Sequence, residues 1–164
     1  MEKLKLLIAE DDALIRDLYE HSLSGHAFEV EMVKNGEEAL ASYKKARPDL
    51  IILDSVMPVM TGYSVLKEIR KALNDKATQV VMVTSLSKGD DVRAFIMLGI
   101  CGYIVKPFDP EEIAAKVMGY YSKVSPERAA EVLAAHEATL KQWREELEQK
   151  KANPEEGDVP EGGE

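Results

Sequence analysis

Five short apolar runs, separated by longer amphipathic stretches, constrain this chain more than any other feature of it. The runs are LKLLIA (4–9), FEVEMV (28–33), DLIILD (49–54), TQVVMVTS (78–85) and GYIVKP (102–107). Most carry Val, Ile and Leu with few polar interruptions, the pattern of strands covered on both faces of a parallel sheet. The second run is more polar and reads as an edge. Helices are expected between and after the runs. They fall at Ala13–Ser24 closed by Gly25, Gly36–Ala46 ended before Pro48, Thr61–Leu73, Gly89–Leu98 closed by Gly99, and Pro110–Lys123 with Asp109 as N-cap. Five strands alternating with five helices specify a doubly wound α/β fold around a five-stranded parallel sheet.

A chain of 164 residues has room for one such domain and an appendage. Its single cysteine, Cys101, excludes an intrachain disulfide and a Cys-rich metal site, and is expected to be a small buried residue. No apolar run approaches the roughly 20 residues of a membrane span, and MEKLKLL lacks the apolar core of a signal peptide, so a cytoplasmic protein without membrane partners is expected. The formal net charge is −9. It argues against non-specific nucleic-acid binding, which needs a basic face. Acid residues are densest from Ser125 onward, which places a boundary near residue 124.

In a doubly wound sheet, ligands gather at the carboxyl ends of the strands. There the first run is followed by Glu10, Asp11 and Asp12, the third ends at Asp54, the fourth at Thr84 and Ser85, and the fifth at Lys106 before Pro107. Carboxylates about 4 Å apart repel by about 4 kcal/mol per pair at an effective dielectric of 20. A cation or protons must compensate. An all-oxygen set of two or three acids suits a hard metal that keeps waters in its shell, which points to Mg²⁺, with Mn²⁺ an alternative. Asp54 would then be spare for chemistry, as an aspartyl-phosphate nucleophile flanked by the Lys106 ammonium and the Thr84 hydroxyl.

AEDD after the first run, LDSVMPVMTG around Asp54, VTS ending the fourth and GYIVKPF around the fifth resemble the receiver domain of bacterial two-component response regulators, of the stand-alone chemotaxis type with a C-terminal helical extension. The register agrees: Asp11 to Asp54 is 43 residues, Asp54 to Thr84 is 30 and Asp54 to Lys106 is 52. The resemblance covers about residues 3–122. It implies that Asp54 takes a phosphoryl group from a histidine kinase or phosphotransfer protein, and that the signal passes on through changed protein contacts. It implies Asp11 as a direct Mg²⁺ ligand, Glu10 acting largely through water, and the Val56 backbone carbonyl as a third protein oxygen. Thr84 and Tyr103 match the hydroxyl and aromatic pair that shift on phosphorylation, Lys106 the lysine that contacts the phosphoryl group, and Pro107 a residue after a cis peptide bond. Asp12, one place past the acidic pair, reads as the cap of the first helix. Val56 and Leu86 are apolar where some relatives carry polar groups that orient water, so a longer-lived phosphorylated state is expected.

Other readings have specific obstacles. A haloacid-dehalogenase-type phosphatase would need an Asp where Val56 stands, and a flavodoxin-like electron carrier would need a Ser/Thr/Gly loop in place of three acids. A phosphorelay intermediate, or a scaffold dominated by its C-terminal helix, stands as the alternative function. The protein is read as a signalling protein that promotes only its own phosphorylation and dephosphorylation.

The chain divides into a receiver at 1–124, a helix at 125–151 and an acidic tail at 152–164 expected to be disordered. Ser125 is the expected N-cap and Pro126 the first helical residue. Leu133, Leu140 and Leu147, with Ala129, His136 and Trp143 beside them, recur every seven residues and suggest a short coiled coil that pairs two copies or docks an unknown target. The roughly 40 residues past the receiver are too few and too acidic for a DNA-binding module, so no DNA-binding domain is expected.

Overall fold

Each apolar run forms a strand: β1 Leu4–Ala9, β2 Phe28–Val33, β3 Leu50–Asp54, β4 Gln79–Thr84 and β5 Gly102–Val105. The structure is a computed structural model that describes residues 2–23, 25–85 and 89–152. The readings made for Leu86 and for residues 153–164 of the acidic tail lie outside these residues, and Ala152 belongs to the last helix. The helices are α1 Ala13–Ser22, α2 Gly36–Ala46, α3 Gly62–Lys67, α4 Gly89–Met97, α5 Ile113–Tyr121 and α6 Pro126–Ala152. The strands pair in parallel in the order β2-β1-β3-β4-β5, so the expected doubly wound α/β fold is what forms.

Side chains on a strand alternate between faces, and here both faces are covered. Leu4, Leu6 and Ile8 of β1 join Ile52, Val81, Val83 and Ile104 in a core on one side, packed with residues of α1, α5 and α6. Leu7 and Ala9 join Ile51, Leu53, Val80 and Met82 on the other, with residues of α2, α3 and α4. Cys101 is only half-buried, because it precedes β5 at the sheet edge and its thiol donates to the Val80 carbonyl at 3.3 Å.

Helix starts follow the capping chemistry. The side chains of Asp12, Asn35 and Thr61 accept from the backbone amides of Leu14, Glu38 and Ser64 at the heads of α1, α2 and α3. Two helices are less regular than the pattern implied. α3 runs into a π-helical turn at Glu68–Ala72, and a short 3-10 turn at Pro110–Glu112, capped by Asp109, leads into α5.

The C-terminal helix lies back on the receiver. Ala129, Val132, His136 and Thr139 are buried, spaced as one helical face. His136 meets the Phe28 ring edge-on at 5.2 Å between centroids, and Arg128 pairs with Asp49 through two hydrogen bonds of 3.1 and 3.2 Å. Part of the face read as a coiled-coil seam is therefore used within the chain. The face assigned to a second copy is already occupied through Ala129 and His136 by the chain's own core, Leu133 and Leu140 flank that contact half-buried, and Leu147 and Trp143 stand exposed.

Candidate functional site

Strand order decides where the acids meet. The chain leaves β1 in one direction to form β2 and returns to place β3 on its other side, which makes the gap between β1 and β3 the switch point of the sheet. Glu10 and Asp11 follow β1, and Asp54 ends β3. One carboxylate oxygen from each of the three lies within 4.8 Å of the others.

Lys106 closes the group from β5's side. Its ammonium donates to Glu10 Oε2 at 2.8 Å and to Asp54 Oδ2 at 2.7 Å. The other oxygens are held by the main chain: Glu10 Oε1 accepts from the Asp12 amide at 3.1 Å, and Asp54 Oδ1 from the Val56 amide at 3.0 Å. Glu10 and Asp54 are buried while Asp11 is exposed, so the cluster opens to solvent on Asp11's side. The Lys106–Pro107 peptide is cis, as expected, and the Lys106 amide donates to the Thr84 carbonyl at 2.8 Å.

Burial pushes the Glu10 carboxyl above its ordinary pKa, with the neighbouring Asp54 charge adding to it, against the hydrogen bonds from Lys106 and the Asp12 amide. For Lys106 burial works to lower the pKa, but the hydrogen bonds to Asp54 and Glu10 prevail and hold it above the ordinary lysine value. Tyr19, on the buried face of α1, is raised chiefly by burial and then by the Glu10 and Asp54 charges. Burial thus dominates the Glu10 and Tyr19 shifts, and the neighbouring carboxylates add to it.

The residue set fits a hard divalent cation. Three carboxylates converge with one side open to water, and the cluster contains neither His nor Cys. Glu10, with both oxygens engaged, suits contact through water, whereas Asp11 is the exposed acid. Thr84 is fully buried at the end of β4. Tyr103, by contrast, stands 40% exposed on edge strand β5, where its carbonyl accepts from the Tyr120 hydroxyl at 2.8 Å. Asp12 belongs to the α1 cap and not to the cluster.

Three features went unread in the sequence. Arg16 donates through Nη1 to the carbonyls of Glu10 and Asp11 at 2.9 and 2.8 Å. Val59, in the loop after Asp54, has a left-handed backbone with φ 68°. Gly62 at the head of α3 is required by proximity: a Cβ there would lie 2.0 Å from the Asp54 carbonyl oxygen. The spacing of Arg16 one helical turn past Asp12 was the available signal for the first, and the β-branched residue in a Pro-containing loop offered none for the second.

Residues 6–118 match the response regulator receiver domain family, and the chain belongs to it. The chemotaxis response regulator CheY4 of Vibrio cholerae superposes with a TM-score of 0.67 at 35% identity, covering 73% of this chain and 99% of that one. The CheX-CheY-BeF3-Mg+2 complex from Borrelia burgdorferi gives 0.66 at 28% identity over 72% of this chain and 89% of that chain. Among curated relatives, the "Probable transcriptional regulator ycf27" of Porphyridium aerugineum is 38% identical over 76% of this chain and 50% of its own length. The "DNA-binding response regulator MtrA" of Mycobacterium leprae is 33% identical over 69% of this chain and 49% of its own length. The chain therefore spans about half the length of these curated relatives.

These relatives overturn the expectation of no DNA-binding domain. They are named as a transcriptional regulator and a DNA-binding response regulator. The charge and length of the segment past residue 124 describe that segment alone, and carry no information about what a receiver of this kind is joined to. Among the described residues, no helix is long and apolar enough to cross a membrane.

Proposed function

We propose that Asp54 accepts a phosphoryl group from the phosphohistidine of a histidine kinase, in a divalent-metal-dependent reaction, and that the phosphorylated state signals through altered contacts with other proteins in the cytoplasm. The observation that carries the reading is the Lys106 ammonium bridging Glu10 and Asp54 beside the Asp11 carboxylate. An oxygen of Asp54 bonds to phosphorus while the phosphorus–nitrogen bond of the donor breaks and its electron pair returns to the imidazole. Asp11, Asp54 and the Val56 carbonyl would hold Mg²⁺, with Glu10 acting through water. Bound there, Mg²⁺ supplies charge neutralisation for the acids and for the incoming phosphoryl oxygens.

The chain's own groups do the rest. The Val56 amide orients Asp54 through Oδ1. Lys106 exchanges a carboxylate partner for a phosphoryl oxygen, keeping its charge where negative charge accumulates. Thr84, buried at the next strand end, supplies a hydroxyl to the same group. Its response, with that of Tyr103 on β5, is the route by which the phosphoryl group alters the α4–β5–α5 face.

The test is intact-mass measurement after treatment with acetyl phosphate. One added phosphoryl group is expected with Mg²⁺, none with the metal chelated, and none in Asp54→Asn. An adduct that survives in Asp54→Asn would reject Asp54 as the acceptor.

A further inference from the structure

We infer that Arg16 is a positioning residue for the metal site, which it shapes by pinning the main chain that presents Glu10 and Asp11. The inference rests on the reading of the acidic cluster as a Mg²⁺ site. One guanidinium nitrogen, Nη1, donates to two consecutive carbonyls, Glu10 O at 2.9 Å and Asp11 O at 2.8 Å. With Asp12, these residues link the end of β1 to the start of α1, a stretch that must turn while carrying three acids. The Asp12 cap holds its far end through the Leu14 amide at 2.8 Å, and the Asp12 amide in turn holds Glu10 Oε1. The Glu10 amide donates to the Val33 carbonyl at 3.1 Å, and Arg16 adds a restraint on the Glu10 and Asp11 carbonyls from within α1.

The two acids do not need this help equally. Glu10 is buried and fixed by Lys106 as well as by the Asp12 amide. Asp11 is exposed, and its carbonyl bond to Arg16 is the side-chain contact that sets its main-chain orientation. Consequently the aim of the Asp11 carboxylate toward Asp54 depends on Arg16. A charge-assisted donor that supports a ligand from outside its coordination shell is the kind of group whose loss weakens metal binding by about 10- to 100-fold.

Charge alone makes the opposite prediction. A guanidinium beside a divalent-cation site repels the cation, so its removal would tighten binding if Arg16 acted only through its field. The sign of the change separates the two roles, and a purely structural role would alter the melting temperature without altering affinity in the folded protein.

The experiment is calorimetric titration of the full chain with MgCl₂ alone, for wild type, Arg16→Met and Arg16→Lys, with melting temperatures measured without metal. Arg16→Met is expected to weaken Mg²⁺ binding by about tenfold or more, and Arg16→Lys, which keeps a donor within reach, to recover part of the loss. Binding by Arg16→Met equal to or tighter than wild type would overturn the inference. Should Arg16→Met fail to fold, Arg16→Gln takes its place under the same criterion. Wild type that takes up no Mg²⁺ would reject the metal reading itself, and is recognisable because it precedes any comparison among variants.

Discussion

Val59 carries a β-branched side chain at φ 68°, a region that L residues with branched Cβ atoms avoid. Such a residue costs on the order of 1–3 kcal/mol. It lies in the loop between Asp54 and the α3 cap at Thr61, and its side chain is 73% exposed, so little burial offsets the strain. Val59→Asn, which tolerates the left-handed conformation, is therefore expected to stabilise the protein by about 1 kcal/mol. The midpoint of urea unfolding should rise at unchanged slope. A lowered midpoint would mean that Val59 makes contacts worth more than its strain.

The turn between α3 and β4 is held by a polar network that no strand or helix pattern announces. Arg70 is buried and spends its guanidinium on four carbonyls, those of Leu98, Asp75, Thr78 and Gly99, at 2.8–3.0 Å. It thereby ties the end of α4 to the approach of β4. Asp75 accepts from the Tyr43 hydroxyl, the Thr78 hydroxyl and the amides of Ala77 and Thr78. Burial alone would raise the Asp75 pKa, but these donors outweigh it and hold the carboxyl below the ordinary range. The unfolded chain's Asp titrates near 3.8. The stabilisation is thus complete above that pH and drains away as acid brings the solution down through the folded value. Asp75→Asn is expected to cost about 1–2 kcal/mol at pH 7, and less at pH 3, where the unfolded chain's Asp has begun to take up a proton while the folded carboxyl stays ionised. Urea unfolding at the two pH values reads both differences, and a cost that grows on acidification would reject this account.

Docking of α6 makes the helix part of the receiver's own core on the α1 and α5 side. The contact has an apolar component, centred on Val132 at 0% exposure, and an ionic one, Arg128 with Asp49, whose side chains are 33% and 26% exposed. Removing two buried methyl groups and leaving the space behind costs about 2 kcal/mol, whereas a partly exposed ion pair contributes about 0–1 kcal/mol. Val132→Ala should therefore loosen α6 more than Arg128→Met, and amide exchange along 126–140 should accelerate in that order. The reverse order would place the hold of this helix in the Asp49 pair.

The alternation of apolar runs with amphipathic stretches was enough to read five strands, their helices and the acids at their ends. Burial on both faces makes a run continuous in Val, Ile and Leu, and that is a local property of the chain. The caps at Asp12 and Asp109 were equally local, each acting within a few residues. The resemblance in motif register added roles to Asp54 and Lys106. Adjacency required the folded chain. β1 lies beside β3 and not only beside β2, and this brings Glu10 to Asp54; Lys106 reaches Glu10 across 96 residues of sequence. Arg16 takes its meaning from two carbonyls that have no signature in residue type. The C-terminal helix shows the division most directly: its periodicity records that one face is apolar, and any apolar surface can satisfy such a face. The receiver's own α5 and Phe28 lie within reach, and so the chain covers itself there.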